Sequence, residues 1–281
     1  MQIGIFAKTF PRPTIEEIFD AVAHHQLDCV QFNMSCAGLP SLPDRIETAI
    51  SSHIRASAKS RGIALAAVSG TYNMIHPDLQ IREDGLKRLR ALASACRAMG
   101  TEVITLCTGT RDPQNMWRWH PDNTSPQAWN DLLHSMEAAL HIAEEEQVIF
   151  AIEPEQANVA NTAVRTRELL REMRSPRLKV VFDAANLITG EQGQQAILNE
   201  AFALLGKDII IAHAKDRDRE GMFRAAGEGI LDYTHYLTLL QASGFEGPII
   251  LHGLDERQVA GSLQFLKDKL AAKKRPGFLQ S

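Results

Sequence analysis

Val148-Ile-Phe-Ala-Ile-Glu-Pro-Glu155 is the stretch whose reading decides the fold. Five apolar residues run without a break, and the run stops at a carboxylate. Such a run is short for a helix and suits a strand buried on both faces, since a half-exposed strand would alternate apolar with polar positions. The pattern repeats downstream. Val180-Val-Phe-Asp183, Ile209-Ile-Ile-Ala-His213 and Ile249-Ile-Leu-His252 are each a short apolar run ended by one polar side chain. Upstream, Ile3 to Phe6, Cys29 to Phe32, Ile63 to Val68 and Val103 to Cys107 have the same character.

Longer stretches of helical periodicity separate these runs. Thr14-Ile-Glu-Glu17 has the form of a capping box, and Ile15, Ile18, Phe19, Val22 and Ala23 follow at helical spacing. A helix over about Pro43 to Ser60 is predicted to end at Gly62, and one over Leu79 to Met99 at Gly100, both glycines in the C-cap role. Ser125-Pro126 opens another, with proline at its favoured first position and Trp129, Leu132, Leu133, Met136 and Leu140 as its buried stripe. A last helix, around Val259 to Leu270, runs into a basic tail, Lys273-Lys-Arg-Pro276.

Eight strand candidates, each followed by a helix candidate, predict an α/β protein. A closed (β/α)8 TIM barrel fits better than an open sheet, and 281 residues suit one such domain of about 250. A doubly wound sheet is the alternative, but no Gly-x-Gly-x-x-Gly follows the first strand. No Pro/Ser-rich linker divides the chain. The expected organisation is one barrel over residues 1–272 and a basic tail over 273–281.

Composition narrows the classes. A hydrophobic fraction of 44% supports a full core. A net charge of −4 and a pI near 6.2 show no electrostatic footprint for nucleic acid. No apolar run reaches the roughly 18–20 residues of a membrane helix. The N-terminus, MQIGIFAKTF, enters a strand pattern at once and lacks a basic signal-like region. Cys29, Cys36, Cys96 and Cys107 form no Cys-x-x-Cys pair. The expectation is a cytoplasmic protein with reduced thiols, without nucleic-acid or membrane partners.

The fold locates the chemistry. Residues at the C-terminal strand ends of a barrel face the active-site mouth. Glu153, Asp183, His213 and His252 end the fifth to eighth strands, so one small volume receives all four. Singly, a strand-end aspartate often caps the next helix and a strand-end histidine is often structural. Together, in consecutive order, they point to a metal or catalytic site. A mixed carboxylate and imidazole set suits Mn²⁺, Fe²⁺, Co²⁺ or Zn²⁺ better than Mg²⁺ or Ca²⁺, so one divalent metal ion is the expected cofactor.

At these residues the chain resembles the sugar phosphate isomerase/epimerase group of the xylose-isomerase-like barrel superfamily. The matching segments are Ile152-Glu-Pro-Glu155, Val181-Phe-Asp-Ala-Ala-Asn186, His213-Ala-Lys-Asp216, Gly227-Glu-Gly-Ile-Leu-Asp-Tyr233 and Gly244-Phe-Glu-Gly-Pro-Ile-Ile-Leu251. The resemblance covers nearly the whole chain. It implies a metal held by Glu153, Asp183 and His213, with a fourth ligand where the family usually carries glutamate and this chain carries His252. In the epimerases the two strand-end glutamates also act as an acid/base pair, so His252 is a departure in the chemistry. Imidazole remains a good ligand.

The implied reaction is isomerisation or epimerisation of a small sugar, sugar phosphate or hydroxy-keto compound. Glu153 is the candidate base for a proton beside a metal-polarised carbonyl, and His252 the candidate for its return. The resemblance places Asn186 and Arg219 among substrate-binding groups. Glu155, two residues past Glu153, reads as a partner for a substrate hydroxyl. Lys215 reads as a rim residue paired with Asp216, and His76 as a pocket-lining loop histidine. Thr108-Gly-Thr-Arg111-Asp-Pro, followed by Trp117-Arg-Trp-His120-Pro, reads as a long aromatic lid in which Arg111 binds an anionic group.

A dehydratase of inosose-like ketones shares the fold, the metal and the proton abstraction. A catalytically altered sugar-binding barrel is a further alternative. An abasic-site endonuclease of the same superfamily needs more histidines than this chain offers, with Asn186 and Cys107-Thr108 where ligands would stand. The expected partner is a small carbohydrate, and the resemblance implies that a homo-oligomer is possible.

Overall fold

In the computed structural model, which describes residues 1–188 and 190–274, the apolar runs become strands. They are β1 (Ile3–Phe6), β2 (Cys29–Phe32), β3 (Ala64–Ser69), β4 (Val103–Leu106), β5 (Ile149–Ile152), β6 (Leu178–Asp183), β7 (Ile209–Arg217), β8 (Phe223–Ala225) and β9 (Ile249–Leu251). Each of β1 to β6 pairs in parallel with the next. β7 pairs in parallel with β9 and β9 with β1, which closes an eight-stranded barrel. β8 stands outside it, antiparallel to the end of β7, with Lys215 opposite Ala225 and Arg217 opposite Phe223.

The helices lie between strands: α1 (Ile15–His24), α2 (Thr48–Lys59), α3 (Leu79–Met99), α4 (Pro126–Glu146), α5 (Ala163–Met173), α6 (Ala184–Leu187), α7 (Gln194–Leu205), α8 (Tyr233–Ala242) and α9 (Val259–Lys274). Thr14 caps α1 by accepting from the Glu17 amide, the threonine half of the predicted capping box. α3 begins and ends where expected, at Leu79 and Met99, and α4 begins at Pro126. α2 starts at Thr48 rather than near Pro43, and Asp44 binds Arg88 of α3 at 2.8 Å. β7 runs five residues past the expected Ala212 because β8 pairs with its end. α9 extends to Lys274, and the remainder of the predicted basic tail, residues 275–281, lies outside the described residues.

Two apolar layers follow from the period-two alternation of the strands. Val30, Phe32, Ile104, Phe150, Ile152, Val180, Phe182, Ile249 and Leu251 face outward into the large core beneath the helices. Cys29, Ala67, Ala151, Val181, Ile211 and Ile250 form a separate small cluster that fills the barrel interior. This inner layer sets up the site, because the residue two positions later on each strand points the same way.

Candidate metal centre and substrate pocket

Stepping two residues along from the inner cluster turns the barrel polar. Cys29 leads to Gln31, Ala67 to Ser69, Ala151 to Glu153, Val181 to Asp183, Ile211 to His213 and Ile250 to His252. Thr105 on β4 completes the same level, and Phe6 on β1 meets the His252 ring edge-on at 5.3 Å between centroids. A further step of two reaches Asn33, Thr71, Cys107 and Glu155. With Lys8, Lys215, Met116 and Trp117, these line a pocket of about 520 Å³ above the polar level.

Asp183, His213 and His252 converge. One ligand-type atom from each lies within 4.8 Å of the other two. The His213 and His252 rings are 4.8 Å apart between centroids. Asp183 Oδ1 caps the short α6 by accepting from the Ala185 amide at 3.0 Å, so the capping and ligand readings of this aspartate hold together. Its other oxygen, Oδ2, is buried and has no aligned hydrogen-bond donor. Lys215 Nζ stands 3.0 Å from it, close enough to offset its charge but not directed as a hydrogen bond. His252 Nδ1 is also buried without a partner. An unpaired buried polar atom costs about 1–3 kcal/mol. An aspartate oxygen and two imidazole rings are the kind of donor set a borderline divalent cation takes, and the unpartnered His252 nitrogen is among them, so these residues fit the expected ion.

Glu153 stands beside the cluster. Its Oε1 accepts from Asn186 Nδ2 at 2.9 Å and lies 3.3 Å from His213 Nδ1. His213 Nδ1 is also 3.6 Å from Asp183 Oδ2. On the far side of the ring, His213 Nε2 lies 2.9 Å from Gln31 Oε1. Gln31 is itself oriented, because its amide nitrogen donates to Ser69 Oγ at 3.3 Å and to Thr105 Oγ1 at 3.2 Å. That arrangement fixes the proton on Nε2 and turns Nδ1 toward the carboxylates, as an outer partner of a ligating histidine does.

The electrostatics are those of a closed ionic group. Burial pushes the His213 pKa down, but the charges of Glu153 and Asp183 and the hydrogen bond to Glu153 outweigh it and raise it to about 9. Burial pushes the Glu153 and Asp183 carboxyls up. Facing His213 and Lys215, both nonetheless end below their ordinary values. Lys215 is held above its usual value despite burial, chiefly by Asp183 and Glu153. Two anions therefore face two cations when no ion is bound. His252 is held neutral: burial, then the charges of His213 and Lys215, lower its pKa to about 3. Glu155 is pushed up to about 6 by burial and by the Glu153 charge.

The structure brings most of the predicted residues together and corrects others. Asn186 is buried between Glu153 and Lys215, donating to one and accepting from Lys215 Nζ at 2.7 Å. Lys215 is buried rather than at the rim, and pairs with Asp183 instead of Asp216. Gly253, at φ +69°, leaves its course free, since a Cβ there would meet the lysine Cδ at 2.9 Å. Asp216 is buried and accepts from the amides of Arg217, Gly227 and Leu231, which organises the following loop.

Three predicted substrate-binding residues lie elsewhere. His76 holds its loop, with Nε2 3.1 Å from the Pro113 carbonyl and Nδ1 accepting from the Asp78 amide at 3.0 Å. Arg111 turns down into an ion pair with Asp131 of α4, shared with Arg82, and donates to the Ile75 carbonyl. Arg219 lies on the surface, paired with Glu191 at 3.0 Å. Each follows a strand by only a few residues, but loop backbone, not strand alternation, sets where those side chains point.

A family model described as the xylose isomerase-like TIM barrel matches residues 19–269. The chain belongs to that family. No curated protein matches it in sequence. Solved structures share the fold at low identity. A 3-keto-D-glucoside 4-epimerase from E. coli is 18% identical, with a TM-score of 0.71 over 95% of this chain and 99% of its own. A probable 3-DHS dehydratase from Bacillus anthracis is 13% identical, with a TM-score of 0.76 over 95% of this chain and 99% of its own. The IOLI protein, solved with a bound zinc atom, is 15% identical, with a TM-score of 0.73 over 97% of each chain. Among the described residues, no helix is long and apolar enough to cross a membrane.

Proposed function

We propose that this barrel is a divalent-metal-dependent isomerase or epimerase of a small sugar or sugar-like hydroxy-keto compound. The observation that carries the reading is the convergence of Asp183, His213 and His252 beneath the pocket, with His252 lining it and carrying a buried, unpartnered nitrogen, beside an Asp183 oxygen that only the Lys215 charge meets. The zinc-bound and epimerase structures of the same fold support it.

Asp183, His213 and His252 would hold the ion, with Glu153 beside them. Bound there, the ion would polarise a substrate carbonyl as a Lewis acid. The chain's own residues do the rest. Glu153 lines the pocket and stays ionised, with one oxygen fixed by Asn186, which suits a base that takes the proton from the carbon beside the carbonyl. Proton return falls to Glu155 rather than His252. His252 would be engaged by the ion, whereas Glu155 lines the pocket two residues from Glu153, and burial and the Glu153 charge raise its pKa to about 6. Asn186 holds Glu153, and Lys215 holds Asn186 and Asp183, in place.

The test is turnover of ketoses, their phosphates and inosose by Mn²⁺-, Co²⁺- and Zn²⁺-loaded protein. Glu153→Gln should abolish it while leaving the ion bound. Undiminished turnover by Glu153→Gln would overturn the assignment of the base. Product mass separates isomerisation from dehydration, because only the latter loses water.

A further inference from the structure

Three large rings stand exposed beside the pocket. Trp117, Trp119 and Phe223 are 55%, 50% and 40% exposed, a concentration of apolar surface on the loop after β4 and on the β7–β8 hairpin. They flank a groove of about 590 Å³, whose polar residues are Glu155, Gln156 and Arg217. Trp117, Glu155 and Phe223 line both this groove and the pocket. The two spaces form one cleft, with a deep polar end over Asp183, His213 and His252 and a shallow aromatic end.

The chemistry of the shallow end selects its occupant. Arg217 is the groove's cation, and each of its three nitrogens already donates: Nε to the Gly221 carbonyl at 2.9 Å, the others to the Ile188 carbonyl at 2.7 Å and Gln156 Oε1 at 3.1 Å. Three of its five N–H groups are therefore committed to the protein, which leaves less of the fork for a phosphate. Glu155, the groove's other ionisable side chain, offers an anion no positive charge. What remains is two indoles, a phenyl ring and side-chain amide and carboxylate groups. Aromatic faces pack on the C–H faces of a sugar ring, and the polar groups take its hydroxyls.

We propose that the substrate carries a second, uncharged sugar ring, and that this groove is the subsite for it. The carbonyl-bearing unit occupies the pocket and the second ring lies against Trp117 and Trp119. This rests on the reading of the pocket as a site for a sugar-like carbonyl compound, and it replaces a phosphate with a glycosyl group as the substrate's second recognition element.

Trp119 separates the two readings, because it lines the groove and not the pocket. Binding is measured by calorimetry on the full-length, Mn²⁺-loaded protein. The probes are D-fructose, two ketoses bearing a second ring (lactulose at O4, isomaltulose at O6) and fructose 6-phosphate. One two-ring ketose should bind at least tenfold tighter than D-fructose, and fructose 6-phosphate should not. Trp119→Ala should bring the affinity ratio of the two-ring ketose to D-fructose close to one, and Trp119→Phe should restore part of it. If D-fructose binds but neither two-ring ketose gains, or the ratio survives Trp119→Ala, or the phosphate gains instead, the subsite is refuted and the pocket stands. If no probe binds, the pocket reading fails and the subsite with it. If Trp119→Ala leaves every affinity unchanged but breaks an oligomer in sedimentation, the rings are a subunit contact and the subsite is refuted.

Discussion

Replacing Gln31 with leucine should weaken the metal site without touching a ligand. Gln31 is 4% exposed and makes three side-chain contacts: to His213 Nε2 at 2.9 Å, Ser69 Oγ at 3.3 Å and Thr105 Oγ1 at 3.2 Å. Leucine is close to glutamine in volume, so the cavity cost is small. The two hydroxyls, which accept from the Gln31 amide, line the pocket and can take a water donor in its place. The His213 N–H loses its acceptor, and a buried donor left unpaired costs about 1–3 kcal/mol. Stability should fall by about 2 kcal/mol, or roughly 4 °C in Tm for a chain this long. Freed of its outer partner, His213 loses its fixed tautomer, and metal affinity should fall about 10–100-fold. Calorimetric titration with Mn²⁺ at constant pH reads the affinity, and thermal denaturation without metal reads the stability. Gln31→Glu, which keeps an acceptor for Nε2–H, should recover most of the affinity. An affinity within twofold of wild type in Gln31→Leu would refute the argument that Gln31 sets the orientation of His213.

Proton competition gives a pH dependence. His213 in the metal-free protein has a pKa raised to about 9, so below that value an ion must displace a proton. Apparent metal affinity should rise by up to about tenfold per pH unit between pH 7 and 9 and then level; a flat profile over that range contradicts the ionic group described at the site. The same proton stabilises the metal-free fold. That contribution should be complete below about pH 6.5 and lost as pH rises through 9, read as a falling Tm. Arg219→Ala should leave kcat/KM within twofold, since Arg219 pairs with Glu191 on the surface. Arg111→Ala should cost about 1–2 kcal/mol through the lost contacts to Asp131 and Ile75, with KM unchanged in a substrate titration.

The barrel was legible because parallel strands buried on both faces leave short unbroken apolar runs, and because the charged residues that end four of them stand out. Asp183, His213 and His252 were found for that reason. Gln31, Ser69 and Thr105 were missed, although they occupy the same level. Uncharged residues inside or at the end of an apolar run attract no notice unless the alternation is followed on every strand. Counting two residues on from Cys29 and Ala67 as from Val181 and Ile211 finds Gln31 and Ser69. The β7–β8 hairpin was hidden because Lys215-Asp-Arg-Asp-Arg-Glu220 reads as a solvated loop, while in the fold Lys215 and Asp216 are buried. Loop residues such as His76, Arg111 and Arg219 could not be placed, because no strand periodicity governs their direction.

The central claim is that Asp183, His213 and His252 hold one divalent ion at the pocket floor, and metal titration of the stripped protein tests it most directly. The wild type should bind one Mn²⁺, Co²⁺ or Zn²⁺ per chain, and binding should weaken at least a hundredfold in both Asp183→Asn and His252→Leu with the fold retained by circular dichroism. No stoichiometric binding by the folded wild type, or binding unchanged in His252→Leu, would contradict it.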